Sequence, residues 1–320
     1  MALVAGVSPL ARAAAALYGA GWELRRRCYA RGWLEPHTVK ARVVSVGNLT
    51  VGGTGKTTLT LRLARVALDA GRNPAVVCLR YHPGPQGFSD EALMFRAALG
   101  AERVFSGASK LESARAAAAA GHDLVIVDDG FSHWRLARDL DLVLLDHGDP
   151  WGGGRLLPAG RMREPHRALQ RADWLVLTRT PPGPLDPVRA DVTRYAPAAR
   201  LAAGRHRVLG VRRLDGGAGE RPARVHLVTA TGNPDAVEAS AREAGLEVTH
   251  HARYLDHHWF SVAEARSELN RARRAGAAVV VTAKDAVRWP EPSDDVWVLR
   301  VEWEWTAGGA ALESAVLDSL

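Results

Sequence analysis

Cysteine is nearly absent from the 320-residue chain, which carries only Cys28 and Cys78. The two lack metal-ligand spacing and read as reduced thiols of a cytoplasmic protein. Long apolar runs are missing as well. A transmembrane helix needs roughly 20 mainly apolar residues, and the opening stretch MALVAGVSPLARAAAALYGAGWELRRRC is broken by Arg12. No basic segment precedes that stretch, which excludes a plain signal peptide. There is no internal repeat, no low-complexity linker and no recognisable nucleic-acid recognition module, so nucleic acid is not an expected partner.

What is present is an apolar content of 47%, enough for a globular chain with a sizeable core. The net charge of +7 suits an anionic partner such as a phosphorylated substrate or a membrane surface. Arginine and alanine are abundant throughout, so much of that charge also fits an ordinary solvated surface. The N-terminal stretch reads as a helix. Leu10, Ala14, Leu17, Gly21, Leu24 and Cys28 fall on one narrow stripe, with Arg12, Arg26 and Arg27 away from it and Tyr18 and Trp22 on its flank. Two readings stand: a helix packed on its own domain, or one lying on an anionic membrane with Tyr18 and Trp22 at the interface.

Further along, strand and helix patterns alternate. RVVSVGNL (42–49), PAVVCL (74–79), DLVIVDD (123–129), DLVLLD (141–146) and DWLVLT (173–178) are short continuous apolar runs, as in parallel sheets covered on both faces. Helices are expected from Lys56 to Gly71, and from Ser89, a cap, to Gly100. The fold class expected is α/β: a doubly wound, mainly parallel P-loop core with a second, smaller α/β domain on a two-stranded linker. The domain reading is an amphipathic membrane-associating segment at 1–35 and the P-loop core at 36–204. The smaller domain with its bracketing linker strands follows at 205–305, and a C-terminal helix at 306–320 returns to the core.

Phosphate chemistry is written most clearly in VGNLTVGGTGKTT. The residues expected to hold a nucleotide are Gly52, Gly53, Thr54, Gly55, Lys56, Thr57 and Thr58. Glycines let the backbone approach closely, and amides at a helix N-terminus point at phosphate oxygens. Lys56 can reach the terminal phosphates and the Thr57 hydroxyl can ligate magnesium. Thr50 stands where the strict P-loop spacing wants glycine. The strand LVIVDDG ends in Asp128 and Asp129, placed beside such a loop to hold Mg2+ directly or through water. The loop GGGRLLPAGRMREP (152–165) carries Arg155, Arg161, Arg163 and Glu164. YLDHHWF (254–260) offers Asp256, His257 and His258; adjacent histidines are poorly placed for one ion, and a hydrogen-bonded Asp/His arrangement is expected instead.

GNLTVGGTGKT, SDE (89–91), DDGFSHWRLARDLDLVLLD, GRLLPAG, REP, TGNP, DHHWF and TAKDAV occur in that order. Together they resemble the tetraacyldisaccharide 4'-kinase family, the lipid A kinases of Gram-negative bacteria, over roughly residues 10 to 290. The family's own P-loop has the T-V-G-G-T-G-K-T form, which accounts for Thr50. The resemblance implies ATP-dependent phosphorylation of the 4'-hydroxyl of a tetraacylated diglucosamine 1-phosphate, giving lipid IV-A, by a peripheral monomer at the cytoplasmic face of the inner membrane. It implies Lys56 and Thr57 as the P-loop pair and Asp90 as general base for the sugar hydroxyl. His257 would work with Asp90 from the other domain, on closure. Asp128, Asp129 and Glu164 would lie around the magnesium ion with Thr57. Departures are Ser132 for the family's glutamine, Tyr81–Pro85 for its R-G-Y-G continuation, and Ala283 for its glutamate.

The alternative is a switching P-loop ATPase or GTPase of the metal-chaperone or partitioning type. Those carry an extra lysine just ahead of the glycines, where this chain has Val51.

Overall fold

The computed structural model describes residues 7–181, 183–290 and 295–318; residues 1–6 and 319–320 of the two terminal spans named above lie outside the described residues. In chain order the elements are α1 (Pro9–Ala30), β1 (Arg42–Asn48), α2 (Lys56–Asp69), β2 (Pro74–Leu79), α3 (Asp90–Leu99), β3 (Val104–Gly107), α4 (Lys110–Ala119), β4 (Leu124–Asp128), β5 (Leu140–Asp146), β6 (Trp174–Thr178) and α5 (Asp186–Thr193). There follow β7 (Arg200–Arg213), β8 (Arg224–Thr229), α6 (Pro234–Glu243), β9 (Glu247–Arg253), α7 (Val262–Arg274), β10 (Ala278–Thr282), α8 (Ala283–Ala286), β11 (Val296–Ala307) and α9 (Gly309–Leu317). They form two compact units. One takes in the chain up to Cys78, Ser109–Arg205 and the chain from Trp305; the other takes in Leu79–Ala108 and His206–Glu304.

In the first unit the strand order is β2-β4-β1-β5-β6-β7. β1 pairs in parallel with β4 on one side (Val44 opposite Ile126) and β5 on the other (Val46 opposite Leu142). β4 and β6 are buried along their whole length, and β1 and β5 at every residue but one terminal position. That is why they read as unbroken apolar runs. The order reverses at β1, so the loops leaving the carboxyl ends of β1 and β4 lie side by side at the switch point where such sheets bind ligands. α2 lays Leu59, Leu63, Ala64 and Ala67 against the sheet.

Ser8 caps α1, accepting from Ala11 N at 3.2 Å. One side of the helix packs on its own unit. Trp22 is buried, edge-on to Trp134 with ring centroids 5.9 Å apart, and Tyr29 packs on the same ring. Trp22 is therefore an inward anchor rather than an interfacial ring, because its indole fills the space beside Trp134. The opposite face stays uncovered, with Leu10, Leu17 and Leu24 at 81%, 75% and 62% exposed. No helix among the described residues is long and apolar enough to cross a membrane.

The second unit has strand order β7-β11-β10-β8-β9, with β11, β10, β8 and β9 parallel. Its core includes Val228, Val279, Val281, Phe260 and Trp289. α7 opens on a reciprocal cap between Ser261 and Glu264. α3 belongs to this unit, with Ser89 as its cap.

Candidate active site

The first site is built on the two adjacent loops of the first unit. β1 ends at Asn48, whose buried amide donates to Thr50 O at 2.6 Å and to Thr54 Oγ1 at 3.0 Å, fixing the loop that follows. The segment behind the loop is stitched to it: Arg163 N donates to Leu49 O (2.7 Å) and Val51 N to Arg161 O (2.8 Å). Gly52 (φ 118°) and Gly55 (φ 88°) hold backbone conformations that side chains disfavour. A Cβ added at Gly52 or Gly53 would meet nothing within 4 Å, so the loop borders open space. The amides of Gly52 to Thr57 find no backbone acceptor among the described residues, as a helix start leaves them. Arg179 ties Gly53 O to the Asp146 carboxylate. Open space, unused amides and Lys56 on the first turn of α2 fit a nucleotide phosphate group.

Around Lys56 the charges alternate. Its Nζ is 3.7 Å from Asp129 Oδ1. Asp129 stands at φ 53°, a left-handed position that aspartate tolerates. Arg163 Nη1 donates to both Asp129 oxygens at 2.8 and 2.7 Å, and Lys110 Nζ donates to Asp129 O. Desolvation works to raise the Asp129 carboxyl, but Lys56, Arg163 and Lys110 outweigh it and hold it well below the usual carboxylate range. Asp128 is buried, accepts from Thr60 Oγ1 at 3.2 Å, and is pushed up by burial. Burial also pulls the Lys110 ammonium down. Thr57 and Thr58 sit on the first turn of α2. Glu164 is taken elsewhere: its buried carboxylate accepts from Arg171 Nη2 at 2.7 Å and Trp134 Nε1 at 3.4 Å. The structure thus brings together Lys56, Asp128 and Asp129, and gives Glu164 an arginine partner. Lys110 went unread in the sequence, although Ser109-x-x-Glu112 is a helix-start pattern; Ser109 Oγ does accept from Glu112 N at 3.4 Å.

The second site lies wholly in the second unit. Asp90 is the first residue of α3 and is 1% exposed. His257, at φ 63° in the loop between β9 and α7, sets Nδ1 3.0 and 3.1 Å from the two Asp90 oxygens. Glu91 N donates to Asp90 Oδ1 at 2.9 Å, and Arg288 Nη1 lies 3.3 Å from Oδ2. Lys284 Nζ is 3.0 Å from Glu91, 3.4 Å from Asp256, 3.5 Å from Asp90 and 3.5 Å from His257 Nε2. Asp90, Glu91 and His257 are metal-type donors near one another, but Lys284 and Arg288 already supply the cations they face. Burial opposes the charge on Asp90, yet the bonds from His257 and the Glu91 side chain, with Lys284 and Arg288, keep its carboxyl far below the ordinary range. The bond to Asp90 raises the His257 imidazole. Glu91, pushed up by burial and then by Asp90, reaches about 7. Beside this cluster Tyr81 packs edge-on to His257, and the Trp259 ring covers Gly84 so closely that a Cβ there would be 2.2 Å from it.

Asp90 and His257 were expected in different domains, meeting only on closure. They share one unit because Asp90 draws in Arg288 and Lys284 from the end of β10, and α3 packs with α8. In the structure the two already touch within one compact unit.

A family model described as LpxK, tetraacyldisaccharide-1-P 4'-kinase, matches residues 7–320. The tetraacyldisaccharide 4'-kinase of Xanthomonas axonopodis pv. citri (strain 306) is 35% identical, over 91% of this chain and 86% of its own length. That of Anaeromyxobacter dehalogenans (strain 2CP-C) is 36% identical over 95% and 87%. A crystal structure of LpxK from Aquifex aeolicus in complex with ATP has the same fold, with a TM-score of 0.72 at 22% identity over 95% of this chain and 97% of that one.

Proposed function

We propose that this chain, which belongs to the tetraacyldisaccharide-1-P 4'-kinase family, transfers the γ-phosphoryl group of ATP to the 4'-hydroxyl of a tetraacylated diglucosamine 1-phosphate. The observation that carries the reading is the family match along nearly the whole chain; the glycine loop and the Asp90–His257 pair supply chemistry of the right kind. The hydroxyl oxygen forms the new P–O bond, the bond to the β-phosphate oxygen breaks, and ADP leaves. The hydroxyl proton passes to the Asp90–His257 pair. Lys56 and the loop amides hold the phosphates and meet charge as it develops. Thr57, Asp128 and Asp129 are the residues that would hold Mg2+, whose chemistry is to neutralise phosphate charge. With the family shown, the switching ATPase reading is not favoured. Incubating the protein with ATP and the disaccharide 1-phosphate in detergent, with mass detection, tests the choice. The expected result is a lipid heavier by one phosphate; ATP hydrolysis with unchanged lipid would overturn it.

The finer reading is a peripheral monomer on the cytoplasmic face of the inner membrane, held by α1. What supports it is the exposed Leu10–Leu17–Leu24 face, flanked by Arg27 and continued by exposed Trp33 and Leu34. Fully burying one leucine contributes about 1.5–3 kcal/mol. Leu17→Asp/Leu24→Asp is therefore expected to weaken binding to anionic vesicles by at least about tenfold, measured by co-sedimentation, with an unchanged thermal melt. Substitution is a cleaner test than deleting the helix, since deletion would strip Trp22 and Tyr29 from Trp134. Vesicle binding equal to the parent's would remove α1 as the anchor.

A further inference from the structure

Arg163 touches neither the P-loop lysine nor the glycines, yet every group it bonds is part of that site or its support. Its side chain grips both oxygens of Asp129 at 2.7–2.8 Å, while Lys56 stands off the same carboxylate at 3.7 Å. Two cations face one anion, and the guanidinium has the closer place. The Arg163 backbone is fixed on both sides. Its N–H donates to Leu49 O, at the start of the P-loop, and its C=O accepts from the Tyr18 hydroxyl of α1 at 2.7 Å.

We propose that Arg163 is a positioning residue for the nucleotide site: it occupies Asp129 so that Lys56 stays available to phosphate, and Tyr18 holds Arg163 in place. This rests on the nucleotide reading above. Without Arg163, the nearest remaining side-chain cation for Asp129 is Lys56. The distance between them would close from 3.7 Å to that of a direct bond, and the lysine would be drawn from the phosphates. Lys110 supports Asp129 from its backbone carbonyl rather than gripping the carboxylate as Arg163 does. Tyr18 sits on a helix whose other face is apolar and exposed, so the same contact gives α1 a physical link to the P-loop.

The test is binding of a fluorescent N-methylanthraniloyl ATP, titrated in a chelator so that metal affinity plays no part. Arg163→Ala is expected to raise Kd about tenfold or more, the scale of one charged hydrogen bond, and Arg163→Lys to recover most of it. Tyr18→Phe, which removes one hydroxyl, is expected to raise Kd about threefold and to add nothing in the Arg163→Ala background. The decisive variant is Arg163→Ala/Asp129→Asn. Removing the charge that captures Lys56 should restore the affinity lost in the single variant, which a merely structural loss would not do. Failure to restore it overturns the proposal, since Arg163 would then act on the phosphate or on folding. A parent that does not bind the probe overturns the nucleotide reading itself; a parent that binds it, with Arg163→Ala binding equally well, overturns only this proposal.

Discussion

Lys56→Ala is expected to lower kcat for phosphoryl transfer by about 10²–10³-fold, the cost of losing one preorganised charge at the transition state. Lys56 is the first residue of α2, and its ammonium is a point charge that can follow the phosphoryl group as negative charge builds. The loss should fall on chemistry, not on folding. α2 buries Leu59, Leu63, Ala64 and Ala67, so the helix keeps its seat when the first residue is trimmed. Alanine is also the best helix former. Asp129 is not stranded either, because Arg163 and Lys110 remain beside it. The check is kcat with saturating ATP and disaccharide, next to a thermal melt. A folded variant with near-parent turnover would take Lys56 out of the reaction.

The P-loop was legible because its parts are local. Three glycines, a lysine and a threonine lie between a buried strand and a helix, and each answers to backbone geometry that neighbours in sequence determine. The acid pair was legible for the same reason, as the end of an apolar strand. The supporting charges were not. Lys110 and Arg163 reach Asp129 from positions 19 and 34 residues away, and no periodicity encodes which of many arginines turns inward. The partner of Glu164 was not legible either: next to Arg163 in sequence, its carboxylate is bonded to Arg171. In α1 the apolar stripe was read correctly as a face, but Trp22 was read as interfacial when its indole is buried against Trp134. An aromatic on the flank of a stripe suits either surface, and only the partner decides. The neighbours of Asp90 were not legible, because alternation of strands and helices shows the order of elements but not which distant side chains a helix start meets. Here they are Lys284 and Arg288, nearly 200 positions further on.

Asp90→Asn is expected to lower kcat by about 10²–10⁴-fold, the range for lost general-base catalysis, with the KM for ATP unchanged. A sugar hydroxyl must shed its proton as the phosphoryl group arrives, and the pair can accept one only as ionised Asp90 with neutral His257. Asp90 stays ionised at all working pH values, since His257, the Glu91 side chain, Lys284 and Arg288 hold its carboxyl so low. His257 then sets the acid limb. Its value is raised, first by the bond to Asp90, so kcat should rise with pH through a midpoint above the ordinary imidazole value of about 6.5. Stability runs the other way: the His257 contribution is complete below the unfolded value and fades as pH rises through the folded one. The Asp90 contribution is present above the ordinary carboxylate value and fades only as pH falls through the lowered one. Lys284, Asp256 and Glu91 also face His257, and Glu91 itself titrates near 7, so the observed midpoint belongs to the cluster. Glu91→Gln removes that overlap and, with the smaller Glu91 contribution gone, should move the limb only slightly lower. Asp90→Asn in the Glu91→Gln background should move the limb to lower pH, since the main cause of the raised value is gone. His257→Ala should lose activity on the scale of Asp90→Asn, and the double variant should be little worse than either, because the two act as one unit. Fully multiplicative losses would assign them separate roles, and an Asp90→Asn enzyme with parent turnover and an unmoved limb would take the pair out of proton transfer.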